Sequence, residues 1–458
     1  MSGSPSVVIV GGGASGTLAA VHLLRLARAR AMPLEIMLID QYGRHAQGQA
    51  YSTTDPRHLL NAATDRMSGL DDDPGHLLRW ARDNGLDVDG SGYLPRQAYG
   101  RYLRDLLAAA EDRPVRVVRR VTATATALLQ CPDEGPDVRV QLSGGGRIGA
   151  DAAVLALGNR PQAPWPRVVD AGSRRYVADP WAPGALARIR DGAPVLVVGT
   201  GLTMVDVALT VTSAHPGTVV HALSRHALLP LPHPCPVPPP VQAAIPEGPL
   251  GLAALLRAVR LAVRDNGGDW PAVVDGLRPR TQRLWANLSP DDRRRFLDLV
   301  ARHWEVHRHR IPPATAARIG ELRANGRLRV LRGRLVRATT GPGGISARVS
   351  ADGTVRRLDV GWLVNATGPG SGVAGDPFLS RLVADGVVRQ DALRLGIDAD
   401  PRGAVLDATG RPSDRIFTLG PTLRGTLYET TAIAEIRAQA AALAPRIADA
   451  LALAVHPR

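Results

Sequence analysis

The chain has 458 residues, a mass of 48.5 kDa, a formal net charge of +14 and a pI near 11.0, with 45% hydrophobic and 21% charged residues. This is the composition of a soluble globular protein with room for two or three domains. Every basic residue is arginine, and the arginines are scattered through all segments, which points to coding bias rather than a nucleic-acid footprint, whose mark is clustering.

In chain order, Val7–Val10 reads as a buried strand, Ala14 to Ala31 as a helix and Leu34–Ile39 as a second strand, the opening β-α-β of a doubly wound sheet. The arginines Arg25, Arg28 and Arg30 follow the apolar start instead of preceding it, so it does not read as a signal peptide. Val115–Leu129 and Val138–Ile148 alternate like antiparallel strands around a Ser143–Gly146 turn, then lead to AAVLALG at Ala152–Gly158. A second unit repeats this order: strand Val195–Val198, helix Leu202–Val211, strand Thr218–Leu223, a strand pair at Arg327–Thr339 and Ile345–Leu358, and WLVNATG at Trp362–Gly368. Between its halves lie the proline-dense connector Leu228–Pro240 and a mostly helical stretch, Gly251–Gly326. Arg257 and Arg260 interrupt the apolar Gly251–Val263, so no membrane span is expected. The chain closes with a short strand, Ile416–Gly420, and a helix from about Glu429 to Leu443.

The expected fold is therefore α/β, with two Rossmann-like dinucleotide-binding domains and a helical insertion. The boundaries expected are 1–165 and 355–458 for a discontinuous FAD domain, 166–230 and 327–354 for an NAD(P)H domain, and 231–326 for the insertion. A chain that builds the unit twice can hold two dinucleotides, as a flavin enzyme reduced by a nicotinamide must.

In the first G-x-G-x-x-G, Gly11 permits the tight turn, Gly13 lets a pyrophosphate approach and Gly16 lets the helix pack on the strand, while Ala14 and Ser15 open the helix whose N–H groups face the phosphates. Asp40, 24 residues after Gly16 and followed by Gln41, is placed to accept from a ribose diol. The second turn keeps Gly199 and Gly201, with Thr203 in the first helical turn and Met204 in place of the third glycine. Its next strand ends at Ser224-Arg225 rather than at an acid, a pair suited to a 2′-phosphate, which favours NADPH over NADH. Gly158, Gly420 and Thr430 are further cofactor contacts, with a helix N-terminus near Glu429 expected to face the flavin pyrimidine. The polar loop Gly48–Ser68 supplies flavin-proximal candidates Tyr51, His58, Asn61 and Met67, joined by Arg424 and Glu429 from the closing segment.

Cys131 and Cys235 form no C-x-x-C, so the sequence gives no support for dithiol redox chemistry or a cysteine zinc site and suits a reducing cytoplasm. His303 and His307 are four apart, as a metal pair would be, but lack a third ligand, so no metal is expected.

The motifs GGGASG, GQAYST with HLLN and MS, YLPRQAYGRYL (Tyr93–Leu103), VVGTGLTMVD (Val197–Asp206), DGLRPRTQRLW (Asp275–Trp285), HWEVHRHR and RGTLYETTAIAEIRAQA together resemble bacterial FAD/NAD(P)-binding proteins grouped with FAD-dependent urate hydroxylase and aspartate N-monooxygenase. The resemblance runs along essentially the whole chain and implies non-covalent FAD, reduction by NAD(P)H and oxygen activation. LALG at Leu155–Gly158 departs from the usual ATG, and SRHALLP from the usual nucleotide-loop pattern.

The function expected is an NADPH-using flavin monooxygenase in which a C4a-hydroperoxyflavin hydroxylates a small polar or anionic substrate. N-hydroxylation of an amine or amino acid is favoured, with Arg278, Arg280, Arg308 and Arg310 as a carboxylate clamp. C-hydroxylation of a urate-like heterocycle and an NAD(P)H:acceptor reductase or redox sensor are the alternatives. Partners are the substrate and oxygen, not nucleic acid or membrane.

Overall fold

The computed structural model describes residues 4–455 except 132–136, 161, 163–164, 166–167, 170–171, 352 and 371. Two compact units emerge: Met1–Thr54 with Ala63–Arg160 and Ser371–Arg458, and Asp55–Ala62 with Pro161–Gly370.

The first stretch of chain gives β1 (Ser6–Val10), α1 (Ala14–Ala29), β2 (Leu34–Asp40), α2 (His76–Asp83), α3 (Arg96–Ala110), β3 (Arg116–Thr122), β4 (Ala125–Gln130), β5 (Val138–Leu142), β6 (Arg147–Ala150) and β7 (Ala152–Leu155). The middle stretch gives β8 (Tyr176–Val177), β9 (Val195–Val198), α4 (Leu202–Ala214), β10 (Val220–Ser224), α5 (Leu252–Asp265), α6 (Trp270–Leu277), α7 (Thr281–Asn287), α8 (Pro290–Arg295), α9 (Ala301–Arg308), α10 (Pro313–Ala324), β11 (Leu328–Arg332), β12 (Arg334–Gly341), β13 (Gly344–Ala351), β14 (Thr354–Val360) and β15 (Trp362–Asn365). The last stretch adds α11 (Pro377–Ala384), β16 (Ala404–Leu406), β17 (Pro412–Thr418), α12 (Arg424–Leu427) and α13 (Ile433–Val455).

In the first unit the sheet order is β16-β17-β7-β1-β2-β3, parallel except at β16. Its central strand reads VVIV because both faces are covered, the pattern of a parallel sheet buried by helices. Helix α1 is buried without interruption from Ser15 to Leu24, since the sheet, α3 and α13 all pack on it. Strands β4-β5-β6 form a separate antiparallel sheet.

The second unit has order β11-β10-β9-β15-β8, all parallel, with β12-β13-β14 as its own antiparallel sheet. The run β3-β2-β1-β7 thus recurs as β11-β10-β9-β15, and the chain enters a three-stranded sheet at the same point each time. The insertion, α5 to α10, sits between β10 and β11.

Three expectations change. Val115–Leu129 is not one antiparallel strand: β3 pairs in parallel with β2, and the chain breaks at Ala123-Thr124 before β4 joins the smaller sheet. Arg327–Thr339 divides in the same way at Gly333, because β11 pairs with β10 while β12 pairs with β13. Alternation reports an exposed face but not the partner strand. The third change concerns the boundary at 355, which falls at 370 instead, since Trp362–Asn365 pairs with β9 residue for residue.

Candidate functional site

The first glycine turn is shaped by close backbone approach. Gly11 has φ +113°, and a Cβ there would lie 2.1 Å from the Ala156 carbonyl oxygen; one on Gly16 would lie 2.0 Å from the Gly11 oxygen. Gly13 faces the backbone of Gly48, a residue the sequence reading did not single out and whose own Cβ would come within 2.8 Å of the Gly13 Cα. Gly13 caps α1 without a side-chain hydrogen bond, and the first helical turn, Ala14, Ser15 and Gly16, carries no acid. Its N–H groups and positive dipole end therefore remain available to an anion.

The returning chain closes on this turn. A Cβ on Gly420 (φ +77°) would lie 2.6 Å from the Ser15 Oγ. The Gly420 N–H donates to Gln439 Oε1 at 2.7 Å, Gln439 Nε2 to Thr430 Oγ1 at 2.7 Å, and Thr430 Oγ1 to the Gly420 carbonyl at 3.0 Å. The structure gathers Ser15, Gly420 and Thr430 beside the turn and adds Gln439, which no motif in the sequence marked. Asp40 sits beside Gly12, but its Oδ1 accepts from the N–H groups of Tyr42 and Arg44, both at 2.9 Å. One carboxylate oxygen thereby shapes its own loop. Gln41 is exposed, Met67 is buried, and Gly158 (φ +66°) lies three residues beyond β7 with open space beside it.

Tyr51 packs on Tyr99 with ring centroids 4.7 Å apart; burial pushes its hydroxyl up to about 12, partly opposed by Arg96. The Tyr99 hydroxyl is fully buried with no hydrogen-bond partner among the described residues. The closing helix begins at Ile433 rather than Glu429: Tyr428 turns the chain with φ +58°, Glu429 is buried, and its N–H donates to the Leu427 carbonyl. Glu435 already answers the dipole in the first turn of α13, so this N-terminus is less positive than expected. The Arg424 guanidinium lies over the Tyr428 ring at 5.9 Å.

His58 and Asn61 belong to the second unit. His58 is buried, with Nε2 2.9 Å from Thr210 Oγ1 and 3.2 Å from the Asp206 carbonyl, while Thr210 donates to Asp55 at 2.8 Å. Asp55 is pulled down to about 2: burial raises it, but hydrogen bonds from Arg57 and Thr210 outweigh that. The Asn61 carbonyl bonds to His233 Nε2 at 2.8 Å. Segment 55–62 is therefore fastened to α4 and the proline-rich connector through the His58 side chain and the Asn61 backbone.

The second turn repeats the first closely. Gly199 has φ +117°, and a Cβ there would lie 2.0 Å from the Ala366 oxygen. The Gly199 N–H donates to Leu223 O at 2.8 Å, as Gly11 does to Ile39 O at 2.9 Å. Gly201 caps α4 without a side-chain bond or an acid in the first turn, Thr203 is half-buried there, and nothing stands within 4 Å of where a Gly201 Cβ would be. Met204 is fully buried and fills core in the place of the third glycine.

Ser224 is not a free phosphate donor: Thr200 Oγ1 gives its own proton to the Leu228 carbonyl, so the 2.9 Å bond between the two hydroxyls takes the Ser224 proton, and Ser224 Oγ also accepts from Ala227 N at 3.0 Å. Arg225 is exposed and has no ion pair among the described residues. Around it gathers positive charge: the adjacent His226 is lowered by burial and then by Arg225, His303, Arg332 and Arg302. The His226 and His303 rings lie 6.0 Å apart, and His307 stacks on Trp270 at 4.7 Å. Among the described residues no three His, Cys, Asp or Glu side chains gather as a metal site would require.

Two of the four insertion arginines are structural. Arg310, 2% exposed, donates to both Asp275 oxygens at 3.1 and 3.2 Å and to the Pro271 and His307 carbonyls. Arg280 donates to the Ala243 and Ile245 carbonyls at 2.9 and 3.1 Å. They hold the insertion together instead of clamping a ligand. Arg278 lies 3.9 Å from Asp275, and Arg308 ends α9.

Compared with known proteins, residues 8–160 match the family model described as FAD-NAD(P)-binding. No sequence match was found among curated proteins. Among solved structures, the chain is similar to the reduced form of ornithine hydroxylase from Pseudomonas aeruginosa, at 15% identity and a TM-score of 0.68 over 98% of this chain and 100% of that one. It is also similar to ornithine N-hydroxylase from Kutzneria sp. 744 with reduced FAD, NADP+ and L-ornithine (18%, 0.63, 98% and 99%). A third likeness is thioredoxin reductase from Lactococcus lactis (13%, 0.55, 98% and 99%). The fold is thus that of FAD- and NAD(P)-binding flavoproteins, with two Rossmann-type units. No helix among the described residues is long and apolar enough to cross a membrane.

Proposed function

We propose that the protein is an FAD-dependent, NADPH-using monooxygenase that N-hydroxylates a small amine or amino acid. The observation that carries this reading is the duplicated turn, in which Gly11 and Gly199 each meet a carbonyl oxygen and each precede an uncapped helix N-terminus. The backbone cradle of Gly11, Gly13 and Gly48 is shaped for a pyrophosphate, so the residues present fit FAD. When bound, FAD supplies hydride acceptance and oxygen activation. The first-turn N–H groups of α1 would hold its diphosphate, and Asp40 would meet its ribose. Ser15, Gly420, Thr430 and Gln439 would fix the closing segment against that site. The N–H groups of α4 would hold the NADPH diphosphate, and Arg225 its 2′-phosphate.

The likeness to ornithine hydroxylases supports the amine substrate, while the likeness to thioredoxin reductase keeps a reductase in view. Against the latter, the chain has no C-x-x-C to carry dithiol exchange.

The test is to reduce flavin-loaded protein anaerobically with NADPH or NADH, add oxygen, and assay ornithine, other diamines and urate for product. Faster reduction by NADPH, and a hydroxylated amine formed in proportion to NADPH consumed, is the expected result. Peroxide release matching all NADPH consumed, whatever the substrate, would identify a reductase. A product from urate alone would select C-hydroxylation.

A further inference from the structure

The outer face of β12-β13-β14 carries a row of like charges that folding does not require. Arg337, Arg348 and Arg357 stand directly opposite one another across the three strands. Like charges in that relation repel and weaken a sheet. A β-bulge sets the alignment: Leu335 pairs with Val349, Val336 is skipped, and Arg337 is brought opposite Arg348. Leu335 and Ala338 consequently both face the core with Ile345, Ala347, Val349 and Val360, while Arg337 points outward.

The first unit supplies an internal control. Its small sheet has the same bulge, with Ala125 opposite Leu142 and Ala127 opposite Gln141, and the row after it reads Ala127, Gln141, Arg147. The same architecture therefore forms with one arginine in that row. Even in an arginine-rich chain, three in register depart from mere scatter.

The row borders a concavity of about 380 Å³ lined by Arg337, Thr339, Ser346, Arg348, Val355, Arg356 and Arg357. Arg337, Arg348 and Arg356 are exposed and have no ion pair among the described residues. Arg357 pairs with Asp359 at 2.9 Å, and that carboxylate, held low by Arg357 and by Ser346, is the one acidic group beside the row among the described residues. The three guanidinium groups of the row thus meet one carboxylate, while Arg356, opposite the core-facing Val349, alternates to the other face.

We propose that this concavity is a binding site for a linear polyphosphate chain, free or as the triphosphate of a nucleotide. With strands about 4.8 Å apart, three arginines span roughly 10 Å, the reach of three to four linked phosphates. The Thr339 and Ser346 hydroxyls add donors. No aromatic side chain lines the concavity, so it offers no platform for stacked bases, and its volume is that of a small-ligand site. This site is separate from the glycine turns and does not depend on the oxygenase reading.

Calorimetric titration of the full chain, its second glycine turn first saturated with NADP+, with inorganic tripolyphosphate and in parallel with orthophosphate tests it. One site is expected, at least tenfold tighter for tripolyphosphate and weakened at least tenfold by Arg348→Ser. Arg225→Ser should leave it unchanged. Removing a repelling charge should not lower the Tm of Arg348→Ser; if that variant fails to fold, Arg337→Ser carries the same expectation. Equal binding by wild type and the row variants would overturn the proposal. So would loss only in Arg225→Ser, which would place the anion at the second glycine turn. Tighter binding of a twelve-nucleotide single strand than of tripolyphosphate, lost in Arg348→Ser, would overturn it in favour of a nucleic-acid surface. For the nucleotide form, ATP binding weakened by Arg348→Ser in step with tripolyphosphate is expected; ATP that fails to compete would restrict the ligand to the free chain.

Discussion

The two units share one backbone plan and differ in how their glycine turns are enclosed. In the first, Gly48 stands against Gly13 and Gly420 against Ser15, with Gln439 and Thr430 locking the approach. In the second, Gly201 opens onto free space, and the neighbouring polar groups, Thr200 and Ser224, are spent on holding their own loop. A closed cradle suits a ligand that stays through many turnovers, and an open turn suits one that must leave each time. The two turns share the hydrogen bonds that make them and differ in those that surround them.

The strongest way to break this comparison is at its shared element. Gly11→Ala and Gly199→Ala each force a side chain into positive φ and onto a carbonyl oxygen, a strain of about 3 kcal/mol or more. Gly11→Ala should yield protein with little flavin. Gly199→Ala should retain flavin but lose reduction by NADPH, as absorbance and anaerobic reduction would show. If both variants lose flavin equally, the two turns do not have separate ligands.

Removing an element that the second unit alone possesses comes next. Asp275→Asn leaves the buried Arg310 guanidinium without its carboxylate, and breaking such a pair costs about 3–5 kcal/mol. Limited proteolysis should then cut within 252–324 while flavin stays bound. Smaller still is Arg225→Ser, which should raise KM for NADPH about tenfold to a hundredfold and leave KM for NADH nearly unchanged, a loss of about 1.5–3 kcal/mol for a charge-assisted bond. Equal effects on both nucleotides would remove Arg225 from the 2′-phosphate.

The smallest effect is on the fastening of segment 55–62. The Asp55 carboxyl has a folded-state pKa of about 2 against an ordinary 3.8. A depressed carboxyl stabilises the fold fully above its unfolded value and ceases to as pH falls through its folded one. The contribution should therefore be intact above pH 4 and disappear between pH 4 and 2. Because Asp55 is partly solvated, the change is modest. Hydrogen exchange at the amides of 55–62, compared with Asp55→Asn, would measure it; no difference between the two proteins across that range would show that the carboxylate does not hold the segment.

Much of this was legible along the chain because the relevant signals are local. A buried strand, a glycine turn and a helix occupy some twenty consecutive residues, and their order is repeated, so both Rossmann units and the glycines that meet carbonyl oxygens could be read without coordinates. The helical insertion and the extended proline-rich connector were readable for the same reason. What escaped depended on partners distant in sequence. Strand alternation could not say that Arg116–Thr122 would pair with β2 while Ala125–Gln130 turned away. The repeat of AAVLALG as WLVNATG did place Trp362–Gly368 in the second unit, but not its residue-for-residue register with Val195–Val198.

The same division runs through the site. Sequence alone determined which residues can form a phosphate-binding turn, because only glycine tolerates those dihedrals and contacts. Tertiary structure decided which polar groups remain available once folded. It committed His58 to Thr210, Ser224 to Ala227, Arg310 to Asp275 and one oxygen of Asp40 to its own loop, and it brought Gln439 to Gly420. A side chain's hydrogen-bonding capacity is written in its chemistry, but whether that capacity is already satisfied depends on groups that only the completed fold brings within 3 Å.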